Sequence, residues 1–172
     1  NAWTLAVGCM RWCQVTSADP ATGRVETEMR LKRTIVFVHE WRGRPGQPLR
    51  PKAVLQDIRT RLLPYGVTTV YSDEWSFEAL FDLATSVGLT LVMQSSQLST
   101  KRERYRNLAT YVRAQQVDLP HHEQLRQDLL NVRRRITKSG EVIELATTPD
   151  GRHADYAPST AIVLTQPMSA PK

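Results

Sequence analysis

Asp73 and Asp155 are the residues that the sequence places best for chemistry. Asp73 follows Val70-Tyr71, so it stands just past the carboxyl end of a parallel-type strand, where open α/β sheets carry their sites. Asp155 opens a helix whose remainder is apolar, Ala157, Ala161, Ile162, Val163 and Leu164, which aims a carboxylate outward from the helix end. Each has an ordinary alternative. Asp73 reads as an exposed loop acid or a helix lead-in, and Asp155 as a charge that complements the helix dipole. Together they say more. Two-metal hydrolysis of a phosphodiester needs several carboxylates converging on one point. Mg²⁺ or Mn²⁺ prefers such oxygen ligands and stabilises both the attacking and the leaving oxygen.

Other reactive residue types carry less. Glu40 ends a central strand beside His39 and reads better as a strand-end surface charge than as an extra acid near the site. His121-His122 follows Pro120 at the start of a helix and reads as solvated surface. Cys9 and Cys13 lack the further Cys or His of a zinc site and read as reduced thiols. Asp19-Pro20-Ala21-Thr22 reads as a hairpin turn, because Val15-Thr16-Ser17-Ala18 makes a poor buried strand. The basic stretches are Arg133-Arg134-Arg135, Lys138 at a hairpin tip, and Lys101-Arg102-Glu103-Arg104 with Arg106. Such cations position DNA through its phosphates without reading its sequence, or line a solvated face. Trp41 and Trp75 flank loops, where packing is more usual than base stacking.

The elements that must hold these residues follow from periodicity. Ala2–Trp12 predicts a strand, with Trp3, Leu5, Val7 and Cys9 alternating onto one face. Cys13–Arg24 reads as a turn or long hairpin loop. Thr34–His39 reads as a central strand buried on both faces. Arg42–Pro51 is a loop rich in Gly and Pro, and Lys52–Pro64 a helix. Val67–Tyr71 and Leu89–Met93 are strands on either side of a helix that Ser76 caps and Gly88 closes. Thr100–Glu103 matches a capping box. A helix over Glu123–Arg133, a hairpin over Ile136–Leu145 turning at Ser139-Gly140, a turn at Thr148–Gly151 and a last helix over Asp155–Leu164 complete the order. The whole reads as one domain over residues 1–166 with a tail at 167–172, an α/β sheet with an antiparallel and a parallel side.

The 172 residues are 41% hydrophobic, enough for a core, and carry a formal net charge of +6. That charge favours an anionic partner, most simply nucleic acid. No apolar run approaches the length of a membrane span. No signal peptide is visible, and no G-x-x-x-x-G-K-[ST] loop occurs, so ATP hydrolysis is not expected of this chain.

Three segments carry a family resemblance. Asn1-Ala2-Trp3-Thr4-Leu5-Ala6-Val7 resembles the strand that follows the first catalytic motif of phage terminase large subunits. Val70-Tyr71-Ser72-Asp73 is similar to their second acidic motif. Gly151-Arg152-His153-Ala154-Asp155-Tyr156-Ala157-Pro158 is similar to the third, with one acid in place of the usual pair. The likeness runs along nearly the whole chain and includes Lys101, where the family often has a lysine near its site.

The resemblance implies an RNase-H-like nuclease domain: a mixed sheet with an antiparallel hairpin side and a parallel side, flanked by helices. It implies an Mg²⁺- or Mn²⁺-dependent endonuclease cutting concatemeric double-stranded DNA during viral genome packaging. Asp73 and Asp155 are then metal ligands and Lys101 a stabiliser of developing charge, with Arg134, Arg135, Lys138, Arg152 and His153 near DNA. An upstream ATPase domain, a small terminase subunit and a portal are the implied partners, and the host cytoplasm the implied location. The first acidic motif is expected just upstream of Asn1. A catalytically incomplete binding or assembly module on the same fold, and another RNase-H-like nuclease such as a resolvase, are the alternatives.

Overall fold

The computed structural model describes residues 2–74, 77–138, 140–145, 147 and 154–168. A long hairpin dominates it. Strand β1 (Ala2–Ala18) pairs antiparallel with β2 (Val25–Arg42) along its whole length. Both strands therefore run well past the predicted Ala2–Trp12 and Thr34–His39, and the predicted Cys13–Arg24 loop shrinks to a tight turn. Cross-strand pairing overrides the polar composition of the outer ribbon, which is largely exposed. Asp19 closes the turn. Its carboxylate accepts from the Ala21 N–H (2.8 Å) and the Thr22 hydroxyl (2.7 Å), bonds that hold it below the ordinary carboxylate range.

The lower half of the hairpin is the middle layer of three. Leu5 and Val7 pack on α1 (Pro51–Leu62) and α2 (Phe77–Ser86), and Ala6 faces α5 (Tyr156–Thr165) on the other side. The ladder slips between Val7 and Gly8, leaving Val36 as the extra residue. The bulge lets Ile35 and Val38 both enter the α5-side core while Val36 and Phe37 pack on the other. Thr34–His39 is thus covered on both faces, as its continuous apolar character implies.

Beyond α1, a 3₁₀ turn (Leu63–Tyr65) leads to β3 (Thr69–Asp73), which pairs parallel with β4 (Thr90–Gln94). Gly88, at φ +77°, makes the left-handed close of α2. Helix α3 spans Leu98–Arg113. It starts ahead of the predicted capping box, with Gln97 at the N-cap, so Thr100 lies inside the first turn. A short β5 (Val117–Asp118), not foreseen, pairs parallel with β2 at Arg33 and Thr34. Helix α4 (Glu123–Leu130) precedes the antiparallel pair β6 (Arg133–Thr137) and β7 (Gly140–Glu144). The predicted Ser76 cap, the turn at Thr148–Gly151 and Ser139 of the hairpin turn lie outside the described residues. No helix among those described is long and apolar enough to cross a membrane.

Helix α5 is the centre of the second core. Six of its residues are buried, from Tyr156 to Leu164, which marks an internal helix rather than a surface one. Gly8 makes its contact with β1 possible: a Cβ there would meet Val163 Cγ1 at 2.5 Å. Arg33 holds the carboxyl end of the helix, donating to the Leu164 and Gln166 carbonyls at 2.9 and 3.0 Å while its guanidinium lies 4.4 Å above the Tyr111 ring. A cation there also suits the negative end of the helix dipole.

Candidate active site

Asp155 sits at the N-cap of α5, but its side chain makes no capping hydrogen bond. Another carboxylate does that work. Asp128 of α4 is completely buried. Its Oδ2 accepts the Tyr156 N–H at 3.1 Å, and its Oδ1 accepts from Gln124 Nε2 at 3.2 Å. Two further contacts fix this end of the helix. Thr4 Oγ1 donates to the Asp155 carbonyl at 2.9 Å, and the His122 ring packs 5.0 Å from Tyr156. His122 itself caps α4, its Nδ1 accepting the Leu125 N–H at 3.1 Å, so the proton of its neutral ring belongs on Nε2. It is half-buried, which corrects the expectation of a solvated surface histidine, whereas His121 is exposed. Position and backbone of Asp155 are therefore set from β1, α4 and the loop before α4.

Asp73 is the last residue of β3, inside the strand rather than past it, and is exposed. Its register partner is Gln94, the last residue of β4. The two loops that follow these strands are tied together: Glu74 accepts the Ser96 hydroxyl at 2.6 Å, which lowers the Glu74 pKa. Arg104 faces this region from α3 and donates to the Ser95 carbonyl at 3.4 Å. Burial pulls its guanidinium below the ordinary value, and the charges of Tyr105 and Asp73 pull it back. Lys101, one turn earlier on α3, is partly buried, and burial lowers its pKa. Arg104 is thus a cation on which the Asp73 charge acts.

No described contact joins Asp73 to Asp155. Gln94 accepts from Gln166 Nε2 at 2.9 Å, which links the Asp73 end of the β3–β4 pair to the carboxyl end of α5. Asp155 lies at the amino end of that ten-residue helix, about 15 Å away along its axis. Among the described residues no three His, Cys, Asp or Glu side chains come together to hold a metal ion.

Glu40 departs from expectation. It was read as a surface charge, yet its side chain is only 10% exposed and pairs with Arg42 at 2.8 Å. It lies directly across from Thr4, whose hydroxyl binds the Asp155 carbonyl. His39 beside it packs between Phe37 and Trp41. Burial lowers its pKa, and the charge of Arg61 lowers it further. Trp41 donates to Asp57 at 2.8 Å and so packs on α1. Both cysteines are free thiols.

The basic residues divide. Lys138 is exposed at the β6–β7 tip, and Arg134 and Arg135 are exposed on β6. Arg135 is held by Glu144 at 2.8 Å. Arg152, His153 and Trp75 lie outside the described residues. The sequence reading leaves out Asp128, and it gives His122 only a surface place and Arg104 only a place in a basic stretch. One signal for Asp128 was legible: it falls on the apolar face of α4, three residues after Leu125 and beside Leu129, where a carboxylate needs a partner.

No protein-family model matches the chain, and no curated protein matches it in sequence. Solved structures do match. The large terminase nuclease from thermophilic phage G20c superposes with a TM-score of 0.63 at 18% identity, over 94% of this chain and 82% of that one. The same nuclease with bound magnesium gives 0.64 at 18% identity, over 94% and 82%. The large terminase of bacteriophage HK97 gives 0.63 at 13% identity, over 95% of this chain and 38% of that one. The chain has the RNase-H-like fold of phage large terminase nuclease domains.

Proposed function

We propose that this chain is the nuclease domain of a DNA-packaging terminase and cuts concatemeric double-stranded DNA with the help of a divalent metal. The observation that carries this reading is the superposition on terminase nucleases along 94% of the chain. The metal enters through a neighbour with bound magnesium and another with bound cobalt. In this reading Asp73 and Asp155 supply two acids of the site, and Lys101 and Arg104 face the same region as cations. Lys138, Arg134, Arg135, Arg152 and His153 meet DNA phosphates. The domain spans 1–166, with residues 167–172 as its tail.

A further acid must come from beyond the described residues. β1 pairs only with β2, and β3 only with β4, so each keeps one edge without a strand partner among the described residues. The stretch Leu5–Val7 of β1 is buried, and buried backbone groups call for partners. An upstream strand between these edges would satisfy them and carry the first acidic motif of this reading. An ATPase domain, a small terminase subunit and a portal are the partners that go with this role, and the host cytoplasm is its location.

A second reading, a non-catalytic nucleic-acid-binding or assembly module on the same fold, accommodates the finding that no three potential ligands come together among the described residues. Mn²⁺ titration followed by paramagnetic NMR broadening separates the two in the chain carrying its upstream residues. The nuclease reading predicts selective loss of signals around Asp73 and Asp155, removed by Asp73→Asn and Asp155→Asn. No selective broadening at either aspartate leaves the module reading standing and the nuclease reading refuted.

A further inference from the structure

One large cavity lies away from both aspartates. It is an open groove of about 1350 Å³ between α3 and α4, reaching down to β7 and the Leu164 end of α5. Its floor is apolar, formed by Leu108, Leu125 and Ile143, all part of the second core. Its walls expose large apolar side chains to solvent: Val112 at 52%, Leu119 at 37% and Leu130 at 56%. Clustered exposure of this kind marks an interaction surface more often than a neutral one.

Polar groups in the groove are also incompletely used. Tyr105 and Glu141 line it, and the Tyr105 hydroxyl and Glu141 Oε1 are buried without a hydrogen-bond partner among the described residues.

The rim is cationic. Arg106, Arg113, Arg126 and Arg134 surround the floor, against two acids, Glu123 and Glu141. Both acids are already engaged, Glu141 by Arg106 and Glu123 by Arg126. Arg113 and Arg134 make no ion pair among the described residues. The groove therefore offers apolar side chains at its centre and uncompensated positive charge at its edges.

We propose that this groove docks an amphipathic helix of a protein partner whose polar face is acidic. Three features select that occupant. The volume exceeds the range of roughly 300–1,000 Å³ usual for small ligands. An apolar floor between two helices suits the helix-in-groove mode, in which residues spaced i, i+3, i+4 and i+7 anchor the partner. The free arginines select carboxylates flanking those anchors and reject a basic helix, since like charges at an interface rim oppose association. Duplex DNA fits the rim but not the floor, because its phosphates gain nothing from Val112 or Leu130. The inference does not rest on the nuclease reading, though it gives Arg134 to the partner helix where that reading gives it to DNA.

The test uses the whole chain and three fluorescein-labelled synthetic helices that share one leucine spacing and carry Glu, Gln or Lys on the polar face. Fluorescence anisotropy should give tightest binding for the Glu helix, with the Lys helix weaker by about tenfold or more. Arg113→Glu with Arg134→Glu should reverse that order. Leu130→Asp, at an exposed position that leaves folding intact, should weaken all three helices. Circular dichroism and urea midpoints of each variant establish that it remains folded. Equal binding of the Glu and Lys helices, insensitivity to Leu130→Asp, or displacement of the Glu helix by duplex DNA at low salt would each overturn the proposal.

Discussion

Asp128→Ala tests how the end of α5 is held. The wild-type carboxylate is fully buried, and its partners among the described residues include the Tyr156 N–H, donating at 3.1 Å, and Gln124 Nε2, donating at 3.2 Å. Truncation orphans both donors. The Gln124 amide is only half-buried and can turn to water, so its loss is small. The Tyr156 N–H is in a buried residue, and leaving such a donor unsatisfied costs about 1–3 kcal/mol. Loss of a negative group at the helix amino end adds about 0.3–1 kcal/mol. The variant should therefore unfold about 1–4 kcal/mol more easily in urea, read as a shifted midpoint at unchanged slope. Asp128→Asn keeps an oxygen for Tyr156 and should lose about half as much or less. A midpoint for Asp128→Ala within about 0.5 kcal/mol of the parent would refute the capping account. Equal losses for Ala and Asn would mean that charge, not the acceptor, holds the helix.

Three further outcomes follow from the packing and the site. Gly8→Ala puts a methyl 2.5 Å from Val163 Cγ1 and should destabilise by about 1–3 kcal/mol, with Val163→Ala restoring part of the loss in the double variant, measured by thermal unfolding. His39 has a folded pKa below its ordinary 6.5 because of burial, with Arg61 adding to the effect. The unfolded chain then takes up that proton first, so stability present above pH 6.5 should fall as pH drops through the folded pKa, and His39→Gln should flatten this part of the curve. In DNA cleavage, Arg104→Gln should cost more than Lys101→Gln, because the Asp73 charge acts on Arg104; the reverse order of rates would return the role to Lys101.

The sequence made the element order legible and the pairing less so. Helices α1, α2, α4 and α5 and strands β3 and β4 follow from apolar spacing, because each has one patterned face or a short continuous run. The outer ribbon of β1 and β2 did not. Gln14, Thr16 and Ser17 carry no burial signal, and they are strand because Met29, Thr27 and Glu26 lie opposite them. Tertiary partners chose the structure there. The two-residue β5 is likewise set by its pairing with Arg33 and Thr34.

At the site, the positions of Asp73 and Asp155 at element ends were readable from local pattern. Their support was not. Asp128 is 28 residues from Tyr156 in sequence, about the span of one supersecondary unit, and Thr4 binds the Asp155 carbonyl from the far end of the chain. Glu40 looked exposed because it ends an apolar run, yet its place opposite Thr4 and beside Arg42 covers it.

The central claim, that this fold carries a metal-dependent DNA nuclease, rests most directly on plasmid cleavage. Supercoiled plasmid is incubated with Mn²⁺ and the chain joined to its natural upstream residues, and nicked and linear products are quantified on gels. The account predicts cleavage that EDTA abolishes and that Asp73→Asn and Asp155→Asn each reduce by about a hundredfold or more, the scale at which loss of a metal-binding partner is felt. Cleavage by both variants at the parent rate would contradict it.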